Sequence, residues 1–333
     1  MSGDMLLRVR DLKVHFPIGG GLFGARSHVK AVDGVSFDVR RGSTFGIVGE
    51  SGSGKSTTAL AVMRLVDLTA GTVHLGDSEI GSLQGEVLRR ERRRFQMVFQ
   101  DPYASLNPRK RAGDAIVDAL NLMEVGPLAE RAQLAQRLFT QTGLKPEQMQ
   151  LFPHQFSGGQ RQRIVLARAL AARPELVVCD EPVSALDVAI QAQVLNLMLR
   201  LQREFGLTYL FISHDLGVVR HMCDEVAVMY LGRIVERAGR DALFAAPLHP
   251  YTRALWSAAP SFDPTARSRA QRIRLQGDPP SPIDVPPGCR FAGRCPFAED
   301  ACKASDPPLR DVGAGHLVAC HRVGADGTAL YAS

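Results

Sequence analysis

Eight residues, Gly49-Glu50-Ser51-Gly52-Ser53-Gly54-Lys55-Ser56, follow the pattern G-x-x-x-x-G-K-[ST], with Thr57 next. Glycines at these intervals let successive backbone N–H groups curl around phosphate oxygens, and a helix starting at the lysine turns its partly positive end toward the same anion. Lys55 adds a full positive charge and Ser56 a hydroxyl for Mg2+. The pattern stands between an apolar run, Phe45 to Val48, and a helical stretch from Lys55 to Val66, which is the context the chemistry needs. Binding of a nucleoside triphosphate is the expectation. A second run, Leu176-Val177-Val178-Cys179-Asp180-Glu181, reads as an apolar strand that delivers two carboxylates at its end. Asp180 can join a magnesium shell, while Glu181, pointing to the opposite side, can orient or deprotonate a water for in-line attack. A third run, Phe156-Ser157-Gly158-Gly159-Gln160, reads first as a capping box, Ser157 at the N-cap and Gln160 three residues on, for a helix whose apolar stripe includes Ile164, Ala167 and Ala171. Its glycines also permit a second phosphate-binding helix end. One chain already has a phosphate site, so this second one makes most sense serving the nucleotide of another subunit.

Positioning these groups calls for alternating strands and helices. Leu7 and Val9, then Val35, Phe37 and Val39, alternate as strands do, and Phe45 to Val48 reads as a buried central strand. The glycine-rich stretch Pro17 to Ser27 between them reads as an inserted loop. Strands are expected at Thr72 to Leu75 and Phe95 to Phe99, then a long helical region from about Gly113 to Leu144. Leu176 to Cys179 and Thr208 to Ile212 are apolar strand cores separated by a helix from Val188 to Phe205. Val226 to Tyr230 and Arg233 to Glu236 form a hairpin pattern around Gly232. This alternation predicts an α/β fold with a largely parallel sheet. After about Pro247, proline clusters and little periodicity predict a loop-rich appendage that needs a staple.

The 333 residues allow one large α/β domain with an appendage, or two ordinary domains. With 45% hydrophobic and 22% charged residues, the composition excludes a disordered, collagenous or disulfide-scaffold chain. No apolar run approaches the roughly 20 residues of a bilayer span, and Met1 to Arg10 lacks the apolar stretch of a signal peptide. Contact with a membrane is therefore expected only through partners. The net charge of +6 is spread over the whole chain, and the densest basic run, Arg89 to Arg94, is interrupted by Glu91 and carries no interleaved aromatics. No nucleic-acid partner is expected. Cys179 and Cys223 read as small buried hydrophobes. Cys289, Cys295, Cys302 and Cys320 lack the close pairs of a common zinc site, and a reducing cytosol would oppose disulfides. A [4Fe–4S] cluster, zinc, or four reduced thiols in a small core remain open.

In this order and spacing the motifs resemble those of ABC-type ATPases, the nucleotide-binding subunits of ABC transporters, across about residues 5–240. Phe156 to Gln160 is similar to the family's LSGGQ signature, with Phe for Leu. Gln100 resembles the glutamine that senses magnesium and faces the membrane subunits, Ser184-Ala185-Leu186-Asp187 the D-loop, and His214 the switch histidine at the γ-phosphate. Phe16 is the candidate for stacking on adenine. His249-Pro250-Tyr251-Thr252-Arg253-Ala254-Leu255, with the four-cysteine tail and His321, is similar to the C-terminal extension of dipeptide and oligopeptide importer ATPases. The inserted Gly19 to Lys30 segment resembles their F-type more than their D-type subunit.

The resemblance implies a P-loop NTPase fold of ABC type, a mixed-sheet core with a helical subdomain at about 101–170. A nucleotide-binding domain would span 1–246 and a cysteine-containing extension 247–333. It implies an ATP hydrolase that energises import of dipeptides or oligopeptides, with ATP, Mg2+ and a [4Fe–4S] cluster as cofactors. ATP would be bound by Phe16, Gly49, Glu50, Ser51, Gly52, Ser53, Gly54, Lys55, Ser56, Thr57 and Gln100. Mg2+ would be held through Ser56, Gln100 and Asp180, and Glu181 and His214 would be catalytic. Ser157, Gly158, Gly159 and Gln160 would act on the partner's nucleotide, with Ser184 and Asp187 in the D-loop and Cys289, Cys295, Cys302 and Cys320 on the cluster. The implied partners are a second ABC ATPase subunit in a heterodimer, two transmembrane permease subunits and, through them, an extracytoplasmic peptide-binding protein. The implied location is peripheral, on the cytoplasmic face of the inner membrane. Competing readings are import of nickel or another small solute, or export, and a non-transport ABC ATPase acting on nucleic acid. Members of that last class carry a second cassette or a long coiled coil, for which this chain has no room.

Overall fold

The computed structural model describes residues 4–19, 27–258, 273, 275 and 277–331. The chain forms two compact units. One comprises the described residues of Met1–Leu7, Val39–Thr44 and His74–Ile212, the other those of Arg8–Asp38, Phe45–Val73 and Ser213–Ser333.

In the first unit, strands Phe95–Val98, Leu176–Asp180 and Thr208–Ile212 lie parallel in that order, with Val98 opposite Cys179 and Asp180 opposite Ile212. The continuous apolar runs at 176–179 and 208–212 are buried throughout, as parallel strands covered on both faces require. Helix Val188–Phe205 buries Val194, Leu195, Leu197, Met198 and Leu201, and Tyr209 donates its hydroxyl hydrogen to the Met198 carbonyl at 3.0 Å. It ends at Gly206, whose φ of 65° supplies a left-handed cap. Helices Ala112–Leu122, Arg131–Gln141 and Gly158–Ala171 pack on one another and bury residues such as Ile116, Phe139 and Val165. The helical region expected from about 113 to 144 consists of two helices. Left-handed backbone at Glu124 (φ 52°) and Gly126 (φ 69°), followed by Pro127, breaks it.

In the second unit, the buried strand Thr44–Val48 runs parallel to Glu225–Tyr230, Phe45 opposite Glu225. Glu225–Tyr230 pairs antiparallel with Arg233–Gly239. Leu231 (φ 42°) and Gly232 (φ 80°) form the connecting turn, both left-handed as a tight hairpin demands. Strands Ser27–Arg40, Met5–Ile18 and Ala70–Leu75, most of whose residues belong to this unit, are neighbours in that order, burying Val35 and Phe37, Val9 and Leu12, and Val73. Pro17 and Ile18 still belong to a strand, and Ser27 begins the next. Of the expected inserted loop and the Gly19 to Lys30 segment, residues 20–26 lie outside the described residues. Helix Lys55–Val62 stops short of the expected Val66 because Arg64 turns left-handed at φ 53°. Cys179 and Cys223 are buried, as expected. A Cβ on Gly46 would stand 2.7 Å from the Cys223 sulfur, so the strand and the cysteine fit only without a side chain there.

The C-terminal part is more regular than its sequence suggests. Helix Pro250–Ala258 buries Tyr251, Thr252 and Ala254, and Pro250 takes the first turn, where its missing N–H costs nothing. Strands Arg310–Asp311 and Leu317–Val318 continue the sheet from the hairpin, Val318 opposite Glu236. Val312, Val318, Cys320, Val323 and Tyr331 make a small core of their own. Glu236 is fully buried but its carboxylate accepts from the N–H groups of Leu248 (2.7 Å) and His249 (2.9 Å) and lies 2.8 Å from His316 Nε2. That satisfies a charge that would otherwise be costly to bury.

Burial pushes the His249 imidazole down to about 4, and its Nδ1 accepts the Tyr251 N–H at 3.1 Å. The folded chain thus holds a neutral ring. Unfolding lets it protonate near its ordinary value of about 6.5, so its contribution is complete above that pH and is lost as pH falls toward 4. Thermal melting should show a transition temperature falling over about pH 6.5 to 4, and His249→Asn should flatten part of that slope.

Candidate nucleotide site

The phosphate loop belongs to the second unit. Gly49, Gly52 and Gly54 have φ of 156°, 78° and 104°. A Cβ on Gly49 would lie 2.2 Å from the Met229 carbonyl oxygen, and one on Gly54 would lie 2.3 Å from the Ala31 oxygen. No side chain fits at either position. The loop is laced inward by Ser53 N–H to Glu50 O (3.2 Å) and Gly232 N–H to Ser53 O (2.8 Å). Lys55 is buried, and its ammonium donates to Gly49 O and Glu50 O, both at 2.8 Å, which aims the cation across the loop. Ser56 is exposed on the first helical turn, Thr57 and Gly54 are half-buried, Ser51 and Gly52 are exposed, and Ser53 is buried. Glu50 is anchored at both ends of the residue. Its N–H donates to the Tyr251 hydroxyl at 2.8 Å, and its carboxylate takes two hydrogen bonds from Arg294. Tyr251 comes from the His249-to-Leu255 motif, so that motif reaches the phosphate loop directly. Sequence reasoning found the motif but not this contact.

Also in this unit, Phe16 lies on a strand and is 40% exposed while Val14 is buried. An exposed aromatic of this kind is available for stacking. The neighbouring His15 Nε2 sits 3.1 Å from Asp33. His214 is exposed, and Asp215 after it caps helix Leu216–Met222 by accepting the N–H groups of Gly217 (2.8 Å) and Val218 (3.1 Å).

The acidic strand end belongs to the first unit. Asp180 closes the strand, and Glu181 turns into left-handed backbone at φ 49°, its N–H held by Ile212 O at 2.9 Å. Gln100 Nε2 donates to the Glu181 carboxylate at 3.2 Å, so the two residues drawn from distant motifs are brought together. Ser184 donates through both N–H (3.2 Å) and hydroxyl (3.1 Å) to Glu181 O. Asp187 caps helix Val188–Phe205 by accepting the Ile190 N–H at 3.0 Å. The oxygen donors Ser56, Gln100 and Asp180 have the hard-ligand chemistry that suits Mg2+.

Ser157 is exposed, and both halves of the capping box are present: Gln160 N–H to Ser157 Oγ at 3.3 Å, and Ser157 N–H to Gln160 Oε1 at 3.0 Å. The glycines between them have a packing role that the sequence reading missed. A Cβ on Gly158 would lie 3.0 Å from Leu186 Cδ2, and one on Gly159 2.3 Å from Ile190 Cγ2. The helix that Ser157 caps is thereby pressed against the Ser184-to-Asp187 turn and the helix after it.

The four C-terminal cysteines come together in the second unit. Burial raises every one of these thiols, Cys289 to about 11 and Cys320 to about 12, and charge on the others raises Cys289, Cys295 and Cys320 further. The Cys289 N–H also donates to Cys302 O at 2.7 Å. All are free cysteines. Four neighbouring thiols suit the donor chemistry of an iron–sulfur cluster. Their arrangement does not match that expectation: among the described residues no group of three or more His, Cys, Asp or Glu is placed to hold a metal ion.

Among the described residues no helix is long and apolar enough to cross a membrane. Residues 32–184 match the family model described as ABC transporter, and residues 235–302 match the model of the oligopeptide/dipeptide transporter C-terminal region. The oligopeptide transport ATP-binding protein AppF of Bacillus subtilis is 50% identical over 96% of this chain and 97% of its own length. The di/tripeptide transport ATP-binding protein DppF of Pseudomonas aeruginosa is 47% identical over 96% and 98%. The solved ATP-binding cassette MJ0796, a dimer in a post-hydrolysis state with ADP and Pi, superposes with a TM-score of 0.62 at 25% identity, covering 70% of this chain and 98% of its own. A phosphate loop that only glycine can form, a glutamine bonded to the glutamate after an acidic strand, and relatives aligned over nearly the full chain lead to one conclusion: the chain belongs to the ATP-hydrolysing, ATP-binding subunits of ABC transporters.

Proposed function

We propose that this ATPase energises a membrane importer of dipeptides or oligopeptides. The observation that carries the proposal is the union, in one chain, of the phosphate loop with a C-terminal region of the oligopeptide/dipeptide type. The relatives that share both are named for peptide transport. In this reading residues 1–246 are the nucleotide-binding domain and 247–333 the extension. The chain works with a second ATPase subunit, two permease subunits and, through them, an extracytoplasmic peptide-binding protein, on the cytoplasmic face of the membrane.

Gly49 to Thr57 wrap the phosphates, Lys55 neutralises them, and Phe16 stacks on adenine. Ser56, Gln100 and Asp180 would hold Mg2+, which supplies positive charge to the phosphate oxygens. Two such chains close on two nucleotides, and Ser157, Gly158, Gly159 and Gln160 of one chain meet the γ-phosphate held by the other, so that closure itself assembles the site. Ser184 and Asp187 fix the turn behind that helix. Glu181 orients the attacking water, Gln100 holds its carboxylate beforehand, and His214 stabilises the transferred phosphoryl group. Segment 101–170 after Gln100 carries the closure toward the permease.

Glu181→Gln keeps the shape and the hydrogen bond acceptor but removes the base. ATP binding, measured with a fluorescent analogue, should stay within about twofold of wild type, while phosphate release should fall at least about 100-fold. Hydrolysis at the wild-type rate would remove Glu181 from this role.

No [4Fe–4S] cluster is assigned to Cys289, Cys295, Cys302 and Cys320, because among the described residues they are not placed to hold a metal ion. Anaerobically purified chain that carried stoichiometric iron and acid-labile sulfide, both lost in Cys302→Ser, would overturn this.

A further inference from the structure

Between Cys289 and Cys295 lies a short segment with an arginine near each end, and each arginine reaches back to one edge of the nucleotide site. Arg294, its side chain only 9% exposed, makes a two-pronged ion pair with Glu50 of the phosphate loop, Nη1 to Oε2 at 2.7 Å and Nη2 to Oε1 at 3.2 Å. Arg290 is buried and pairs with Asp33, which also contacts His15 beside Phe16. The segment is held in place by Phe291, whose ring packs against Tyr230 (5.3 Å between centroids), Tyr251 (5.5 Å) and His249 (5.7 Å). Tyr251 itself fixes the Glu50 N–H. Glu50 O in turn accepts from Lys55. A chain of direct contacts therefore runs from the cysteine-bracketed segment through Glu50 to the lysine that faces the phosphates.

We propose that Arg294 is a positioning residue for ATP: it sets the phosphate loop by clamping the Glu50 carboxylate, so the C-terminal extension tunes nucleotide affinity rather than merely decorating the ATPase. A planar fork is suited to this task, because two parallel bonds fix direction as well as distance, which a lysine cannot do. The proposal rests on the reading of Gly49 to Ser56 as the ATP site.

The test is equilibrium binding of a fluorescent ATP analogue to the full chain, with kcat and KM measured on the assembled transporter. Arg294→Ala should weaken binding and raise KM for ATP about fivefold or more while kcat at saturating ATP stays within about twofold. Arg294→Lys, which keeps the charge and loses the fork, should fall between. Arg294→Ala placed on Glu50→Gln should add little to the effect of Glu50→Gln alone, since both break the same clamp. If Arg294→Ala melts too readily to assay, Arg294→Lys and Glu50→Gln carry the comparison. Wild-type affinity in Arg294→Ala, or additive effects in the double variant, overturns the proposal, provided Lys55→Ala binds weakly. Wild-type affinity in Lys55→Ala removes the nucleotide site itself, and the proposal with it.

Discussion

The close approach of backbone to backbone at the phosphate loop is the constraint on which the rest depends. With Gly49 against the Met229 carbonyl and Gly54 against that of Ala31, the loop is fixed by its neighbours and cannot be shaped by its own sequence alone. Met229 lies in the strand that runs beside Thr44–Val48, and Gly232 in the hairpin turn bonds to Ser53. Sheet, turn and loop are consequently one object. A helix N-terminus then supplies the dipole and Lys55 the charge, but both are useful only because the loop already has its curvature.

One unit holds the phosphate loop, with Lys55 drawn across it by two carbonyl oxygens. The other holds the groups proposed to orient water. There Gln100, Glu181 and Ser184 form a connected patch in which the glutamate's backbone is left-handed and its carboxylate is already bonded. The same unit presents Ser157 at a helix end with its capping box satisfied locally, which leaves the serine exposed at the surface.

Much of this was legible in the sequence because its signals are local. Helix Val188–Phe205 has the bounds its apolar period predicts, and strand Thr208–Ile212 those of its apolar run. The Ser157–Gln160 cap follows from spacing alone. What was not legible is long-range. Gly158 and Gly159 read as concessions to a phosphate, yet their lack of side chains also admits Leu186 and Ile190, and no periodicity announces that. The helical region expected at about 113–144 is helical, but its break is not announced by its apolar stripe: two left-handed residues, Glu124 and Gly126, divide it. In the C-terminal part, helix Pro250–Ala258 and strands Arg310–Asp311 and Leu317–Val318 are short and take their order from Glu236, buried 0% exposed at their junction. The Arg294 contact with Glu50 joins residues 244 positions apart, beyond the reach of any motif.

The central claim is that this chain is half of a hydrolytic device, gripping its own nucleotide and finishing another's. It is tested most directly by measuring ATP turnover per chain as the ATPase subunits, at fixed stoichiometry, are diluted through the range where they separate. Specific activity should fall with dilution and be restored by raising concentration, and chains altered at Ser157 should bind ATP normally yet fail to activate their neighbours. Constant specific activity at every dilution, unaffected by loss of Ser157, would contradict the account.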